Sequence, residues 1–262
     1  IVYISQFYTT DSKIVSLYDL TMEKENELNS KDIYNFIPED KFESCVNKLY
    51  EKYNKQALSK DFFKHKIDPF SALTQICFQE KNYDQWTSFE KERQLQKSLQ
   101  NYIGEFHQDI IRNLDGWEDM EITDAINKEK KIFVEVKNKH NTVTKAKLTK
   151  VYDDLASNLK KYKKYTAYYM YIIRESDYVD KPFTPSDNTK KRKSKKKSRQ
   201  KRENLREIDG VSFYKKITKD KDFLRKIYIE LFNKLLKINR KNSFSAIKDD
   251  DRFIEYFTKT FD

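Results

Sequence analysis

Glycine and proline are nearly missing, at three and four of 262 residues. So few turn-formers exclude collagen-like chains, Gly-rich linkers and small many-turned all-β folds. Three glycines also cannot build a phosphate-cradling Gly-rich loop, so no nucleotide cofactor is expected. Cysteine is rarer still. Cys45 and Cys77 lie in helix-like segments and read as two buried free thiols, which excludes a disulfide framework and a structural zinc. Three scattered histidines give no Ser-His-Asp or Cys-His arrangement, and His107 reads as a packed or exposed helix residue. No run approaches the roughly 18 apolar residues of a membrane span, and no basic stretch with a small-residue cleavage site opens the sequence. The expectation is a soluble intracellular protein with no membrane partner.

What is abundant is aromatic and charged. Aromatic residues make up 15% of the chain, too many for a disordered one, so a packed core is expected. Lysine and arginine number 53 against 42 acids, a net charge of +11, and residues 190–202 (KKRKSKKKSRQKR) supply ten of those charges. Lys190, Lys191, Arg192, Lys193, Lys195, Lys196 and Lys197 head that block. A like-charged run of this density stays solvated, as an arm at about 188–206 whose natural partner is a polyanion bound through counterion release. The Lys-rich, Asn- and Ile-rich composition is also what an AT-rich genome produces without selection for binding.

The hydrophobic period divides the chain into a helical N-terminal region, 1–97, packed on a core of 98–262. Pro38 followed by Phe42, Val46, Leu49 and Tyr53 marks one helix, and Asp68 caps another that begins at Pro69. Further helices are expected over 84–100 and 98–113. The period then shortens to two. Residues 120–126 and 131–138 predict a hairpin joined by Asn127–Lys130, with Ile132, Val134 and Val136 on one face and Phe133, Glu135 and Lys137 on the other. An amphipathic helix over Leu148–Leu159, a central strand at Tyr168–Ile173, a short strand over Ile208–Tyr214 with a turn or bulge at Asp209-Gly210, and a closing helix from Leu224 to Ile238 follow. This order predicts an α/β fold with a mixed central sheet flanked by helices.

One face of the hairpin carries reactive groups. Glu135 and Lys137, two apart on one strand, stand roughly 7 Å apart on the same side. A connecting loop of even length puts Asp124 opposite Phe133 and diagonal to Glu135 on that side, whereas an odd length turns it away. Two carboxylates and an ammonium suit metal-assisted phosphodiester hydrolysis: the oxygens hold a hard dication, and the ammonium serves the attacking water. The same residues could instead form a solvated face of cross-strand ion pairs. Against that stands an otherwise apolar strand, where sheltered charges need partners or a metal. Glu105, beside the apolar stripe of the preceding helix, points either along the surface or toward the hairpin. Asn138, Lys139, His140, Asn141 and Thr142 follow the strand as a run of hydrogen-bonding side chains suited to a DNA backbone or to base edges.

Asp124 followed by Glu135-Val136-Lys137 resembles the PD-(D/E)XK nuclease pattern. The longer string Ile103-Gly104-Glu105-Phe106-His107-Gln108, then Gly116-Trp117, then Val134 to Thr142, with Ile208-Asp209-Gly210 and Phe213-Tyr214 further on, resembles the type II restriction endonucleases that cut GGNCC or GGWCC sites in bacteria. The proline usual before the first acid is replaced by Thr123. The resemblance, over about residues 98–235, implies a restriction-endonuclease-like core. It further implies Mg2+ held by Asp124 and Glu135, Lys137 serving the attacking water, and Glu105 assisting indirectly. Duplex DNA as substrate, a homodimer matched to a twofold site, and a bacterial cytoplasmic location come with it. A repair or recombination nuclease of the same fold, and a non-catalytic nucleic-acid-binding protein, are the alternatives.

Overall fold

The computed structural model describes residues 28–58, 67–141, 143–175, 177–186, 199–239 and 251–261. Thr142 and Lys190 to Lys197, expected to touch DNA, lie outside the described residues.

A 3₁₀ turn, Ser30–Asn35, precedes helices α1 (Glu39–Ala57), α2 (Pro69–Phe78) and α3 (Tyr83–Arg112). Pro38 takes the position before α1, and the Asp68 carboxylate accepts the Phe70 N–H at the start of α2, as their sequence positions suggest. The two helices expected over 84–100 and 98–113 are one helix of 30 residues. A capping box between Asn82 and Gln85 starts it. No proline interrupts it, and it runs through Gly104, where a Cβ would make only ordinary contact with Asn138 at 3.7 Å.

Strands β1 (Trp117–Glu118), β2 (Ala125–Asn127), β3 (Ile132–Lys139), β4 (Thr166–Ile173), β5 (Asp180–Pro182) and β6 (Leu205–Asp209) form one sheet in the order β1-β2-β3-β4-β6-β5. The central β3-β4 and β4-β6 pairs are parallel and the flanking pairs antiparallel. Helix α4 (Lys145–Lys161) makes the crossover from β3 to β4. Helices α5 (Gly210–Thr218), α6 (Phe223–Asn239) and α7 (Asp251–Phe261) complete the described chain.

The alternation of β3 sorts the core. Val134 and Val136 join α1, α3, α5, α6 and α7 on one side of the sheet, while Phe133 packs with Tyr152, Leu155 and Leu159 of α4 on the other. Ile33, Ile37, Phe42, Val46 and Leu49 belong to the first of these clusters, so the N-terminal helical part shares the core of the sheet.

Three expectations are corrected. The first strand of the hairpin covers only Ala125–Asn127, not 120–126, because the Asp124 carboxylate takes the Val136 N–H that a longer ladder would have used. The stretch 208–214 is not a strand. β6 ends at Asp209, whose buried carboxylate accepts the Ser212 and Val179 N–H groups and thereby caps α5. Of the two free cysteines, Cys45 is buried but Cys77 is exposed, on the outer face of α2.

Gly210 shows how closely α5 approaches β4. A Cβ there would lie 2.9 Å from the Ile172 carbonyl oxygen and 3.0 Å from its Cα, both backbone atoms that cannot step aside. Gly210→Ala is therefore expected to destabilise the protein by about 3 kcal/mol, lowering the melting temperature in thermal denaturation by roughly 5–10 °C. A melting temperature within a degree of wild type would show that the helix start can shift freely.

Candidate active site

The register of the hairpin decides where the acids meet. β2 and β3 pair Ala125 with Val134, Ile126 with Phe133 and Asn127 with Ile132. Asp124, one residue before β2, continues that register to face Glu135 directly, rather than facing Phe133 with Glu135 on the diagonal. The turn begins at Lys128, not Asn127, and both versions contain four residues. Parity, which sets the face, is unchanged.

Three predicted residues thus come together at the hairpin. Their side chains keep only 14% (Asp124), 21% (Glu135) and 27% (Lys137) of their exposure. Lys137 Nζ lies 2.5 Å from Glu135 Oε1. Asp124 Oδ2 accepts the Val136 N–H at 2.7 Å. Burial is the largest influence on both carboxyls and pushes both upward. For Asp124 it is opposed by the Val136 N–H, Lys137, Arg112 and Gln108. For Glu135 the charge of Asp124 adds to burial, and Lys137 works against it. Two sheltered acids, both raised by burial and one of them also by the charge of the other, form a site that gains from a cation.

Helix α3 supplies the support. Gly104, Gln108 and Arg112, at i, i+4 and i+8, present one stripe to the hairpin. Arg112 Nε donates to the Asp124 carbonyl at 2.8 Å, and its Nη2 lies 3.7 Å from Oδ1 of the same residue. Gln108 works against the burial of the Asp124 carboxyl. Further anions, Asp109 and Asp119, hold the guanidinium in place. Arg112 is not marked by the sequence, and Gln108 enters there only as part of the family string, with no role. Their spacing from Gly104 was the available signal, but it acquires meaning only once α3 is laid on the hairpin.

Glu105 takes another direction. It pairs with Lys52 of α1 in a groove shared with Lys48, Tyr102 and Asp109. His107 is fully buried, with Nε2 3.0 Å from the Tyr228 hydroxyl, and burial pushes its imidazole down to about 3, so it is a neutral core residue.

Beyond Lys137 the strand end carries its polar run. Asn138 turns toward α3 beside Gly104, and the His140 N–H donates to the Ile173 carbonyl at 3.1 Å, with its ring edge-on to Tyr171. Lys139 pairs in register with Ile173, and Asn141 is exposed at the turn that follows. These residues sit at the carboxyl ends of the parallel strands, where open α/β sheets bind their ligands.

If Asp124 holds a divalent cation, Arg112→Met is expected to raise the metal concentration that activity requires by about 10- to 100-fold, the usual cost of removing a group that orients a metal-binding side chain. Titrating cleavage against metal concentration, with DNA affinity measured in parallel, checks it. Arg112→Lys should recover part of the loss. An unchanged metal requirement would reduce Arg112 to a packing residue.

Comparison with known proteins identifies the family. Residues 34–238 match the family described as Eco47II restriction endonuclease. The type II restriction enzyme Eco47II of Escherichia coli is 34% identical over 241 residues, which cover 88% of this chain and 95% of that protein. The type II restriction enzyme Sau96I of Staphylococcus aureus is 26% identical over 202 residues, covering 73% and 76%. Membership implies dependence on a divalent metal, and among the described residues no helix is long and apolar enough to cross a membrane. Because the matched span runs unbroken from the first core helix through the acid-bearing hairpin to the end of α6, the chain belongs to the Eco47II restriction endonuclease family, a site-specific DNA endonuclease of type II.

Proposed function

We propose that this endonuclease uses Mg2+, cuts duplex DNA at a GGNCC-like sequence, and acts as a homodimer in the bacterial cytoplasm. Asp124 facing Glu135 across the hairpin, with Lys137 against Glu135, is the observation that carries the reading. The donor set fits the ion. Both acids offer hard oxygen ligands, and among the described residues no third acid, histidine or cysteine closes a full cage around them. Mg2+ is held in this way, through one or two carboxylates, with water and phosphate oxygens making up the rest. When bound, it would polarise the scissile phosphate and acidify a water.

The chain's own residues do the remainder. Asp124, clamped by the Val136 N–H and Arg112, and Glu135, fixed on a strand paired on both sides, would hold the cation without having to reorganise. Lys137 stands against Glu135, where its ammonium would orient the attacking water and meet the charge growing on the phosphate. Asn138, Lys139, His140 and Asn141, with Thr142 and the basic stretch around Lys190 to Lys197, contact DNA. A twofold site cut on both strands needs two such centres, hence two chains. Mapping the ends produced from a sequenced plasmid with Mg2+ tests the reading. Discrete ends within one repeated short sequence are expected, and the absence of cutting with any divalent metal would overturn it.

A further inference from the structure

Helix α2 carries no charge on either side and is apolar over most of both. Its sequence, PFSALTQICF, contains no charged residue in a chain that is 36% charged. One side faces inward: Ala72 is buried, and Gln75 accepts the Trp86 indole N–H of α3 at 3.0 Å. At 100° per residue, Leu73, Cys77, Phe70, Thr74 and Phe78 fall within an arc of about 140° on the opposite side. Phe70, Leu73 and Phe78 are 79%, 48% and 85% exposed. A helix that is apolar all round is normally covered all round.

We infer that this outer face of α2 is the homodimer contact, packed on the same face of a second copy about a twofold axis. The inference rests on the dimeric reading given above and locates its interface. The exposed parts of the two phenylalanines and the leucine amount to roughly 400 Å² of apolar side chain. One partner in a standard interface buries about 800 Å², a little over half of it apolar, or roughly 450 Å². One self-complementary patch therefore supplies nearly the whole apolar part of such a contact. Its lack of charge is the compositional mark of an interface centre. The position also suits two working centres. α3, about 45 Å long, carries α2 against its first turns and the clamp on Asp124 at its last. Contact through α2 with the twofold axis running along α3 would set both active sites at the same end of the dimer, open to one duplex.

The test uses the full chain. Sedimentation of the wild type should show a dimer, and Phe70→Asp combined with Phe78→Asp should weaken dimerisation at least about 100-fold. The melting temperature should stay that of the wild-type monomer, because both side chains are exposed. On supercoiled plasmid the double variant should nick, with little direct linearisation. Since Cys45 is buried, a bis-maleimide should join two chains through Cys77, and Cys77→Ser or the double aspartate variant should abolish the cross-link. A double variant that dimerises like wild type would overturn this interface and leave the dimeric reading standing. A wild-type chain that is monomeric both free and on DNA would overturn both readings, as when α2 is covered by another part of the chain or by a different protein.

Discussion

Glu135→Gln is expected to bind duplex DNA as tightly as the wild type and to cut it on the order of 10³-fold more slowly, about 4 kcal/mol of lost transition-state stabilisation. The substitution keeps the shape of the side chain and an oxygen that accepts from Lys137, but removes a charge that the proposed metal site needs. The same change should make the metal-free protein more stable at neutral pH. Burial first, and the Asp124 charge second, hold the Glu135 carboxyl above its ordinary range. The fold therefore opposes ionisation. For an acid raised in this way the penalty appears as pH climbs through the unfolded value and is complete above the folded one, so stability increases as pH falls. The uncharged amide of the variant carries no such penalty, so Glu135→Gln should melt higher at pH 7, with a flatter pH dependence on the acid side. Gel shift, plasmid cleavage and thermal melts at several pH values measure the three effects. Cleavage within tenfold of wild type would remove Glu135 from the chemistry. Lower stability at neutral pH would show that its pair with Lys137 outweighs its burial.

The hairpin was legible because two independent signals agreed. Ile132, Val134 and Val136 alternate with Phe133, Glu135 and Lys137, and both faces are buried, so either period or hydrophobicity alone would have marked the strand. The register slipped by two because Asn127 looks like a turn residue but ends β2, its side chain accepting the Lys130 N–H at 2.7 Å. An even slip preserves the face, so the meeting of the acids survived the error. At β6 the signal was ambiguous. A short apolar stretch fits strand or helix equally, and Asp209 was read as part of a bulge, although an Asp three residues before Ser212 is also an N-cap. The contact of Arg112 was out of reach, because an arginine at the end of a helix looks the same whether it faces solvent or the aspartate of a neighbouring hairpin. Its meaning comes from the packing of α3 on the hairpin. The outer face of α2 was missed for a related reason. The apolar spacing of Leu73, Ile76 and Cys77 suggests one buried side, and only the fold shows that Leu73 and Cys77 point away from it.

Lys137→Met is expected to lower the cleavage rate by about 10²- to 10⁴-fold, the range for losing a group that handles the proton or charge of the attacking water. The effect on stability should be opposite to that of Glu135→Gln. Lys137 is a neighbouring cation that works against the burial of both carboxyls. Without it the acids are sheltered and less compensated, and breaking one partner out of a sheltered ion pair is destabilising. Their folded pKa values then rise further, so the metal-free variant should melt below wild type at neutral pH and regain stability as pH falls. Mg2+ should therefore stabilise the methionine variant by more degrees than it stabilises wild type, while cleavage stays low. That combination separates a lysine that acts in the reaction from one that only neutralises the site. Lys137→Arg sharpens the distinction. It restores the charge, and so the melting temperature, but its planar fork cannot present the compact point charge of an ammonium, so cleavage should recover only in part. If Lys137→Met cuts within tenfold of wild type once Mg2+ saturates the site, the lysine is an electrostatic brace for Glu135, and the water must be served by another group of this chain.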